Sequence, residues 1–210
     1  MHRFTLRAYL RSPVIRQGYL TLDALLMAEL GRGDVSDLIR CDDGLYCASA
    51  AFMADEIAQQ PAAFVASMRP ERTPEWLDVI LPNSTNALGH KDVGIGERRA
   101  REAGNVISTY TAKVAGAVEW YATGDKDAVL AALQGVCFIG KRRAAGYGEV
   151  VRWEADPGEL DGLVGYLSEP LRPIPVVRWP HGGDHIAIDT AWRPAYWEIR
   201  NRAKCFAPPL

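Results

Sequence analysis

Residues 3–11 alternate between polar and apolar side chains, and this period of two predicts a half-buried β-strand. Its apolar positions are Phe4, Leu6, Ala8 and Leu10. Pro13 limits the continuation of the strand, because proline lacks the N–H group that a sheet ladder needs. Leucines at helical spacing follow and predict a helix, with Thr21 as its N-cap and Gly31 at its C-terminal end.

A second segment with a period of two runs from Val106 to Tyr121. It predicts either one bent strand or two consecutive strands, with Gly116 at the bend. Gly124 and Asp125 are then predicted to cap a second helix. The inward face of that helix consists of Val129, Leu130 and Leu133.

Three shorter segments complete the pattern. Val136–Ile139 is predicted to begin a buried strand, and Glu149–Trp153 is predicted to be extended again after a glycine-rich turn. The residues of Leu45–Glu56 fit both a strand and a helix, so their structure stays open. The order of strand, helix, strands, helix and strand predicts an α+β fold of the ferredoxin-like (RRM-like) kind, an antiparallel sheet backed by two helices.

The length of 210 residues favours one elaborated domain over two complete ones. We expect the domain over residues 1–158, with an insertion at about 81–104 that shows no sustained apolar period. A loop of this length is uncommon without a function or a structure of its own. Residues 159–210 are rich in proline and tryptophan, and we predict a C-terminal extension packed on the same domain, because disordered tails seldom keep several tryptophans.

The composition, with 48% hydrophobic and 24% charged residues, excludes a disordered, collagen-like or coiled-coil protein. The net charge of −2 gives no overall sign of nucleic-acid binding. The charges are nevertheless segregated: residues 1–16 and 139–152 are basic, whereas residues 23–56 and 154–169 are acidic. These blocks either average out over the folded surface or mark a polarised molecule.

The four cysteines form no Cys-x-x-Cys pair, and arginines interrupt the apolar runs near the N-terminus. The sequence is therefore predicted to have no signal peptide and no membrane segment. We expect a cytoplasmic protein with free thiols.

The strongest chemical signal is the glycine-rich segment 139–150, in which three consecutive bases stand between glycines. Its candidate nucleic-acid contacts are Gly140, Lys141, Arg142, Arg143, Gly146, Tyr147 and Gly148. Glycines let a phosphate backbone approach main-chain N–H donors, the bases supply charge, and a tyrosine ring offers a stacking surface. The segment fits neither a Walker A loop nor a dinucleotide-binding fingerprint. A hairpin turn with a solvated basic tip is the alternative.

This segment resembles the glycine-rich loop of the RAMP proteins, a CRISPR-associated RNA-binding superfamily with ferredoxin-like folds. Residues 10–14 (LRSPV) and 20–26 (LTLDALL) are similar to the N-terminus of the small RAMP subunit of type IV CRISPR effectors, which is related to subunits that cap the 5′ handle of the guide RNA. The resemblance implies that the glycine-rich segment contacts the RNA backbone. It also implies that residues 81–101 correspond to a thumb-like extension that locks guide RNA against a neighbouring subunit.

Two further sets of cations are candidate RNA contacts. Arg3 and Arg7 share one face of the first predicted strand with Tyr9, where alternate side chains stand about 6.6 Å apart, comparable with the spacing of backbone phosphates. The second set, in the insertion, consists of Lys91, Arg98 and Arg99. An ordinary solvated surface is the alternative for both sets.

No metal or cofactor is expected. His181 and His185 are separated by glycines that favour a turn, and no cysteine is close to them in the sequence. Some RAMP relatives cleave RNA without metal through histidine, tyrosine or lysine. The possibility of cleavage therefore depends on whether His2 approaches the glycine-rich segment in space.

The predicted function is that of a non-catalytic guide-RNA-binding subunit of a CRISPR ribonucleoprotein, which caps the 5′ handle of the CRISPR RNA. The expected partners are the CRISPR RNA, the repeating backbone RAMP subunit and the large subunit, with target DNA near its recognition motif as a secondary contact and no membrane. The alternative from the enzyme class is a metal-independent endoribonuclease that processes CRISPR repeat RNA. A protein scaffold that never contacts RNA is the third hypothesis.

Overall fold

The computed structural model describes residues 1–16, 18–67, 105–181 and 185–209. Outside these residues lie the predicted insertion at 81–104 and its candidate RNA contacts Lys91, Arg98 and Arg99.

The described residues form two helices and eleven strands. The helices are α1 (Leu22–Leu30) and α2 (Lys126–Leu133). The strands are β1 (His2–Leu10), β2 (Cys41–Asp42), β3 (Leu45–Tyr46), β4 (Phe52–Ala54), β5 (Ala58–Ser67), β6 (Asn105–Val114), β7 (Ala117–Gly124), β8 (Val150–Pro157), β9 (Ile174–Pro175), β10 (Ala187–Ala191) and β11 (Arg202–Phe206).

Four of these strands form the main sheet, in the order β4–β7–β1–β8, and each neighbouring pair is antiparallel. Along the chain, α1 lies between β1 and β4, and α2 lies between β7 and β8. The sheet therefore consists of two interleaved strand–helix–strand units. This α+β arrangement is consistent with the ferredoxin-like class.

The hydrophobic core combines one face of the main sheet with apolar side chains of both helices. The buried apolar residues of β1 are Phe4, Leu6 and Ala8, which confirms the predicted alternation. Trp120 of β7 is fully buried, and its ring stacks on that of Trp153 with 5.9 Å between the centroids. The indole N–H of Trp120 donates to the carbonyl oxygen of Leu20 at 2.9 Å, so this buried donor is satisfied.

Both predicted helices are confirmed together with their ends. α1 follows Thr21 and ends at Gly31, whose φ of +63° is the left-handed conformation that favours glycine. The carboxylate of Asp125 accepts a hydrogen bond from the main-chain N–H of Ala128 at 3.1 Å, which caps the first turn of α2.

The predicted strand over Val136–Ile139 is wrong. Within this segment the structure shows an isolated bridge between Phe138 and Glu149 and no regular strand. The chain turns at Gly140 (φ +78°) to meet Ile15, and this turn ends the pairing before a ladder can extend.

The structure shows which alternative two segments of the sequence adopt. The period-two segment from Val106 to Tyr121 forms two strands, with Gly116 in the connection between β6 and β7. Gly116 binds two neighbouring segments, because its N–H donates to Ala54 and its carbonyl oxygen accepts the N–H of Leu10. Leu45–Glu56 contributes the short strands β3 and β4 and no helix.

The chain divides into two compact units, Met1–Gln60 with Ala112–Leu210, and Pro61–Thr111. The first contains the main sheet and both described helices. β5 and β6, which have most of their residues in the second unit, pair with each other. The rings of Phe64 and Tyr110 meet there edge to face, with 5.9 Å between the centroids.

A buried arginine connects the C-terminal part of the first unit to α1. Arg172 is fully buried, and its guanidinium lies 3.2 Å from a carboxylate oxygen of Asp23, which is also fully buried. The remaining acceptors are the carbonyl oxygens of Tyr46, Ala48 and Trp192 and the hydroxyl of Tyr196. The Tyr196 hydroxyl itself donates to Asp23. Four of these hydrogen bonds, three from Arg172 and one from Tyr196, hold residues 172–196 against the core.

No helix in the described part of the chain is long and apolar enough to cross a membrane. All four cysteines are free thiols, as predicted. Cys137 is exposed, Cys41 is half-buried, and Cys47 and Cys205 are buried.

Candidate nucleic-acid interface

The glycine-rich segment forms a loop that begins at the buried Ile139, after α2, and ends at β8; main-chain hydrogen bonds close its base. The N–H of Ile139 donates to the carbonyl oxygen of Gly148 at 2.9 Å, and the N–H of Val150 donates to that of Cys137 at 2.8 Å. Ile139 is fully buried and Val150 is nearly so. The base of the loop is therefore part of the core, while its tip, a single 3₁₀ turn at Arg143–Ala145, projects to the surface.

Residues 12–15, which follow β1, form the second support of the loop. The N–H of Gly148 donates to the carbonyl oxygen of Pro13 at 2.9 Å, and the N–H of Lys141 donates to that of Ile15 at 2.8 Å. The hydroxyl of Ser12 accepts the N–H of Glu149. Pro13 was predicted to limit the first strand and belongs to the segment that carries the family resemblance, but the support that residues 12–15 give to the loop was not predicted. The sequence feature that indicates a structural role for residues 12–15 is the apolar pair after Pro13. Val14 and Ile15 are both fully buried.

The three glycines of the loop allow its backbone conformation. Gly140, Gly146 and Gly148 all have φ between +73° and +84°. A Cβ atom at Gly148 would overlap the carbonyl oxygen of Ile139, and one at Gly140 would stand 2.5 Å from that of Ile15. The N–H groups of Gly146 and Gly148 donate within the protein, to Arg143 and Pro13. These two glycines therefore shape and anchor the loop, whereas the sequence predicted that glycine N–H groups would donate to phosphate.

The basic side chains run from the anchored part of the loop, at Lys141, to its tip, at Arg143. Lys141 and Arg143 are exposed, and Arg142 and Tyr147 are half-buried. The guanidinium of Arg143 lies 3.1 Å from a carboxylate oxygen of Glu29 in the last turn of α1. With 54% of the Arg143 side chain exposed, water screens this contact, and an anionic ligand can reach the guanidinium.

The first strand does not add its arginines to this tip. The register places the open face of the main sheet across β7, β1 and β8. Its charged residues are Arg3, Arg7, Arg152, Glu119, Glu154 and Asp156. Arg7 pairs with Glu119 at 2.5 Å and Asp156 at 3.0 Å, and the hydrogen bond from Glu119 raises the pKa of Arg7. Three cations thus face three carboxylates.

Arg3 and Tyr9 are also occupied on this face. Arg3 donates to the carbonyl oxygen of Glu159 at 2.8 Å. The guanidinium of Arg152 lies over the ring of Tyr9, 3.6 Å from its centroid, and pairs with Glu154 at 2.8 Å. The ring of Tyr9 is therefore covered by a cation of its own chain.

His2 and the glycine-rich loop lie at opposite ends of β1. The loop is anchored beyond Leu10, whereas His2 pairs with Gly124 at the start of the strand. At about 3.3 Å per residue, the strand separates the two by about 26 Å. The expectation that His2 could approach the loop is therefore wrong.

Comparison with known proteins agrees with the sequence resemblance. The sequence model of one family, described as CRISPR type IV associated protein Csf3, matches residues 95–208. The match covers more than half of the chain and includes the whole glycine-rich loop, β8 and the buried Arg172. No curated protein matches the chain. The chain belongs to the Csf3 family of type IV CRISPR-associated proteins.

Proposed function

We propose that the chain is a non-catalytic RNA-binding subunit of a type IV CRISPR ribonucleoprotein, with a ferredoxin-like RAMP fold that caps the 5′ handle of the CRISPR RNA. The observation that carries the proposal is the set of cations on the anchored glycine-rich loop. Lys141, Arg142 and Arg143 are consecutive residues between the anchor at Ile15 and the tip of a loop whose base is fixed to the core from two sides.

A rigid base makes such a loop suitable for binding a phosphate backbone. An RNA ligand does not have to pay for ordering the main chain, because hydrogen bonds to residues 12–15 already hold it. Replacing the exposed ion pair between Arg143 and Glu29 by a pair between Arg143 and phosphate costs little free energy. Tyr147, which is half-buried in the same loop, is the aromatic residue of the proposed site.

The fold supports the RAMP assignment. The strand order β4–β7–β1–β8 with two crossover helices is the order expected for a ferredoxin-like sheet. The loop that precedes the last strand of this sheet is the glycine-rich loop, which agrees with the resemblance.

The position of His2 supports a binding role rather than cleavage. General acid–base cleavage requires the catalytic group within hydrogen-bond reach of the scissile phosphodiester. His2 lies at the far end of β1 from the proposed RNA site, about 26 Å away along the strand. Incubating labelled repeat RNA with the protein in a chelator tests the alternative: a discrete product that disappears in His2→Ala would establish an endoribonuclease.

The proposed protein partners are the repeating backbone subunit and the large subunit. Large apolar side chains on the C-terminal part of the chain support such contacts, because they stand in solvent in the single chain. Val177 is 94% exposed, and Trp197 and Ile199 are each 86% exposed.

Copurification tests the RNA-binding site. We expect a complex expressed with guide RNA and partner subunits to lose RNA when Lys141, Arg142 and Arg143 are all changed to alanine. The matched control changes Arg200, Arg202 and Lys204 to alanine, which removes the same charge from the C-terminal part of the chain. RNA content per complex, measured by absorbance ratio and by gel, should fall only in the loop variant. Unchanged RNA occupancy in that variant would refute the assignment.

A further inference from the structure

A pocket of about 360 Å³ opens beside the tip of the glycine-rich loop. Its lining residues are Glu29, Gly135, Val136, Cys137, Phe138, Arg143 and Ala144. The walls thus come from the last turn of α1, the segment that follows α2 and the 3₁₀ turn of the loop. The pocket adjoins the proposed RNA site, because Arg143 belongs to both.

The pocket combines an apolar wall with a carboxylate and a guanidinium. Val136 and Phe138 supply partly buried apolar surface. Glu29 and Arg143 supply opposite charges 3.1 Å apart. A planar ligand with a polar edge in a phosphate-containing chain matches this set, because the apolar wall can contact its face, the carboxylate can accept from its edge and the guanidinium can pair with a phosphate of the chain. A nucleotide of the bound RNA has these features.

Glu29 is an unusual residue for its position in the helix. It lies in the last turn of α1, which contains no basic residue, and the helix dipole disfavours an anion there. One carboxylate oxygen accepts from Arg143, and no described residue donates a hydrogen bond to the other. A side chain that breaks a local rule in this way is more readily explained by a ligand than by stability.

The carboxylate selects the base. Guanine alone among the four RNA bases presents two adjacent donors, N1–H and the N2 amino group, on its Watson–Crick edge, and a carboxylate can accept both. Adenine, cytosine and uracil each present one donor on that edge. When the carboxylate of Glu29 accepts both hydrogen bonds, the guanidinium of Arg143 becomes available to a phosphate of the bound RNA.

We propose that this pocket binds one guanine base of the RNA held by the glycine-rich loop, with Glu29 as the residue that reads it. The inference rests on the proposed RNA-binding function and adds a base preference to it. It assigns Arg143 to a phosphate of the bound RNA and the surface of Val136 and Phe138 to the face of the base.

Fluorescence anisotropy with the full chain tests the proposal. The probes are labelled oligouridines of about ten nucleotides, unmodified or with one central guanine, inosine or adenine. A bidentate contact predicts binding about tenfold tighter for the guanine probe than for oligouridine. Inosine lacks the N2 amino group and should bind with an intermediate affinity. Adenine should give no gain.

Two variants and one control decide between the outcomes. Glu29→Gln should abolish the guanine preference, because an amide supplies one acceptor and one donor in place of two acceptors. Gly135→Leu should do the same by filling the pocket, since a Cβ atom there meets no atom within 4 Å. Glu159→Gln removes the same charge elsewhere and should keep the preference. Circular dichroism checks that each variant is folded.

The results separate the two proposals. Oligouridine binding that is lost in the Lys141, Arg142 and Arg143→Ala variant, without any preference for guanine, would overturn the pocket and leave the RNA-binding function intact. A preference for another base, or a guanine preference that survives in Glu29→Gln, would likewise overturn the role of Glu29. Failure to bind any of the RNAs would overturn both proposals.

Discussion

The guanidinium of Arg172 lies 3.2 Å from a carboxylate oxygen of Asp23, and that of Arg143 lies 3.1 Å from one of Glu29. The first pair is completely buried, whereas 54% of the Arg143 side chain and 25% of the Glu29 side chain are exposed. Contact distance therefore does not distinguish the two pairs. Their surroundings do, because burial fixes one pair inside the fold and solvent leaves the other free to exchange partners.

The buried pair is held by more than its charges. Burial alone lowers the pKa of Arg172, but Asp23 and Tyr196 outweigh that effect and keep the pKa above its usual value. Three carbonyl oxygens accept hydrogen bonds from the same guanidinium, which leaves Nε as its one buried nitrogen without a partner. A buried cation that donates hydrogen bonds to residues on both sides in this way is a structural joint between α1 and the C-terminal residues.

The largest effect is expected from breaking the buried pair. Arg172→Met should lower the free energy of unfolding by about 3–5 kcal/mol, because it leaves the carboxylate of Asp23 buried without its cation. Urea unfolding followed by tryptophan fluorescence measures the change. Adding Asp23→Leu to this variant should recover part of the loss by removing the unpaired charge.

Arg32→Met is the matched control for this comparison. Arg32 contacts Asp37 at 3.0 Å, and the two side chains are 41% and 59% exposed. Its loss should cost less than about 1 kcal/mol. Equal losses in the two variants would show that burial does not set the difference between the pairs.

The second largest effect concerns the support of the exposed pair. Gly148→Ala should destabilise the protein by at least about 2 kcal/mol, because a left-handed residue acquires a side chain that overlaps the carbonyl oxygen of Ile139. RNA affinity should fall with it. Gly146→Ala is the control: its φ is also positive, but its Cβ meets no atom within 4 Å, so the cost should be about 1 kcal/mol. Thermal unfolding compares the two.

Local patterns predicted the elements on which this comparison is built. The alternation in β1, the leucines and Gly31 of α1, and Asp125 before α2 each encode a structure within about ten residues, and all three are confirmed. The glycines of residues 140–148 likewise indicated a loop, because several left-handed residues in succession leave few other conformations.

The roles of individual charges could not be predicted in the same way. Arg172 meets Asp23 across 149 positions of sequence, and nothing local distinguishes it from an exposed arginine in a proline-rich tail. Arg7 was expected to face solvent or phosphate, but its carboxylate partners come from β7 and β8, which only the sheet register places opposite it. The distance between His2 and the loop depends on which end of β1 the loop joins.

A smaller effect on stability is expected from removing the exposed pair itself. Arg143→Ala should change the free energy of unfolding by no more than about 0.5 kcal/mol, because the contact is screened by water. RNA affinity should nevertheless fall, and the slope of log affinity against log salt should decrease by about 0.7, the value for one phosphate contact with a single strand. A salt titration by anisotropy measures it. An unchanged slope would remove Arg143 from the phosphate contacts.

The smallest effect concerns the same contrast between a buried and an exposed residue, now for two cysteines. Cys205 is fully buried in β11, and burial raises the pKa of its thiol to about 11, whereas Cys137 is exposed at the loop pocket. Iodoacetamide at about pH 8 should therefore modify Cys137 in the folded protein and leave Cys205 unmodified, since the thiolate is the reactive form. Mass spectrometry of the peptides measures both.

The raised pKa of Cys205 also makes the stability of the protein depend on pH. Because the folded-state pKa of Cys205 is raised, the stabilisation from its neutral thiol is complete below about pH 9 and is lost as the pH rises through about 11.

The same cysteine reports on the buried Arg172–Asp23 pair. Arg172→Met should make Cys205 react with iodoacetamide at about pH 8, because loosening the joint exposes the C-terminal strands before the rest of the protein unfolds. Cys137 should react at the same rate in both proteins. If Cys205 stayed protected in that variant, the C-terminal sheet would be held by contacts other than the buried pair, and the loss of stability would have to arise in α1.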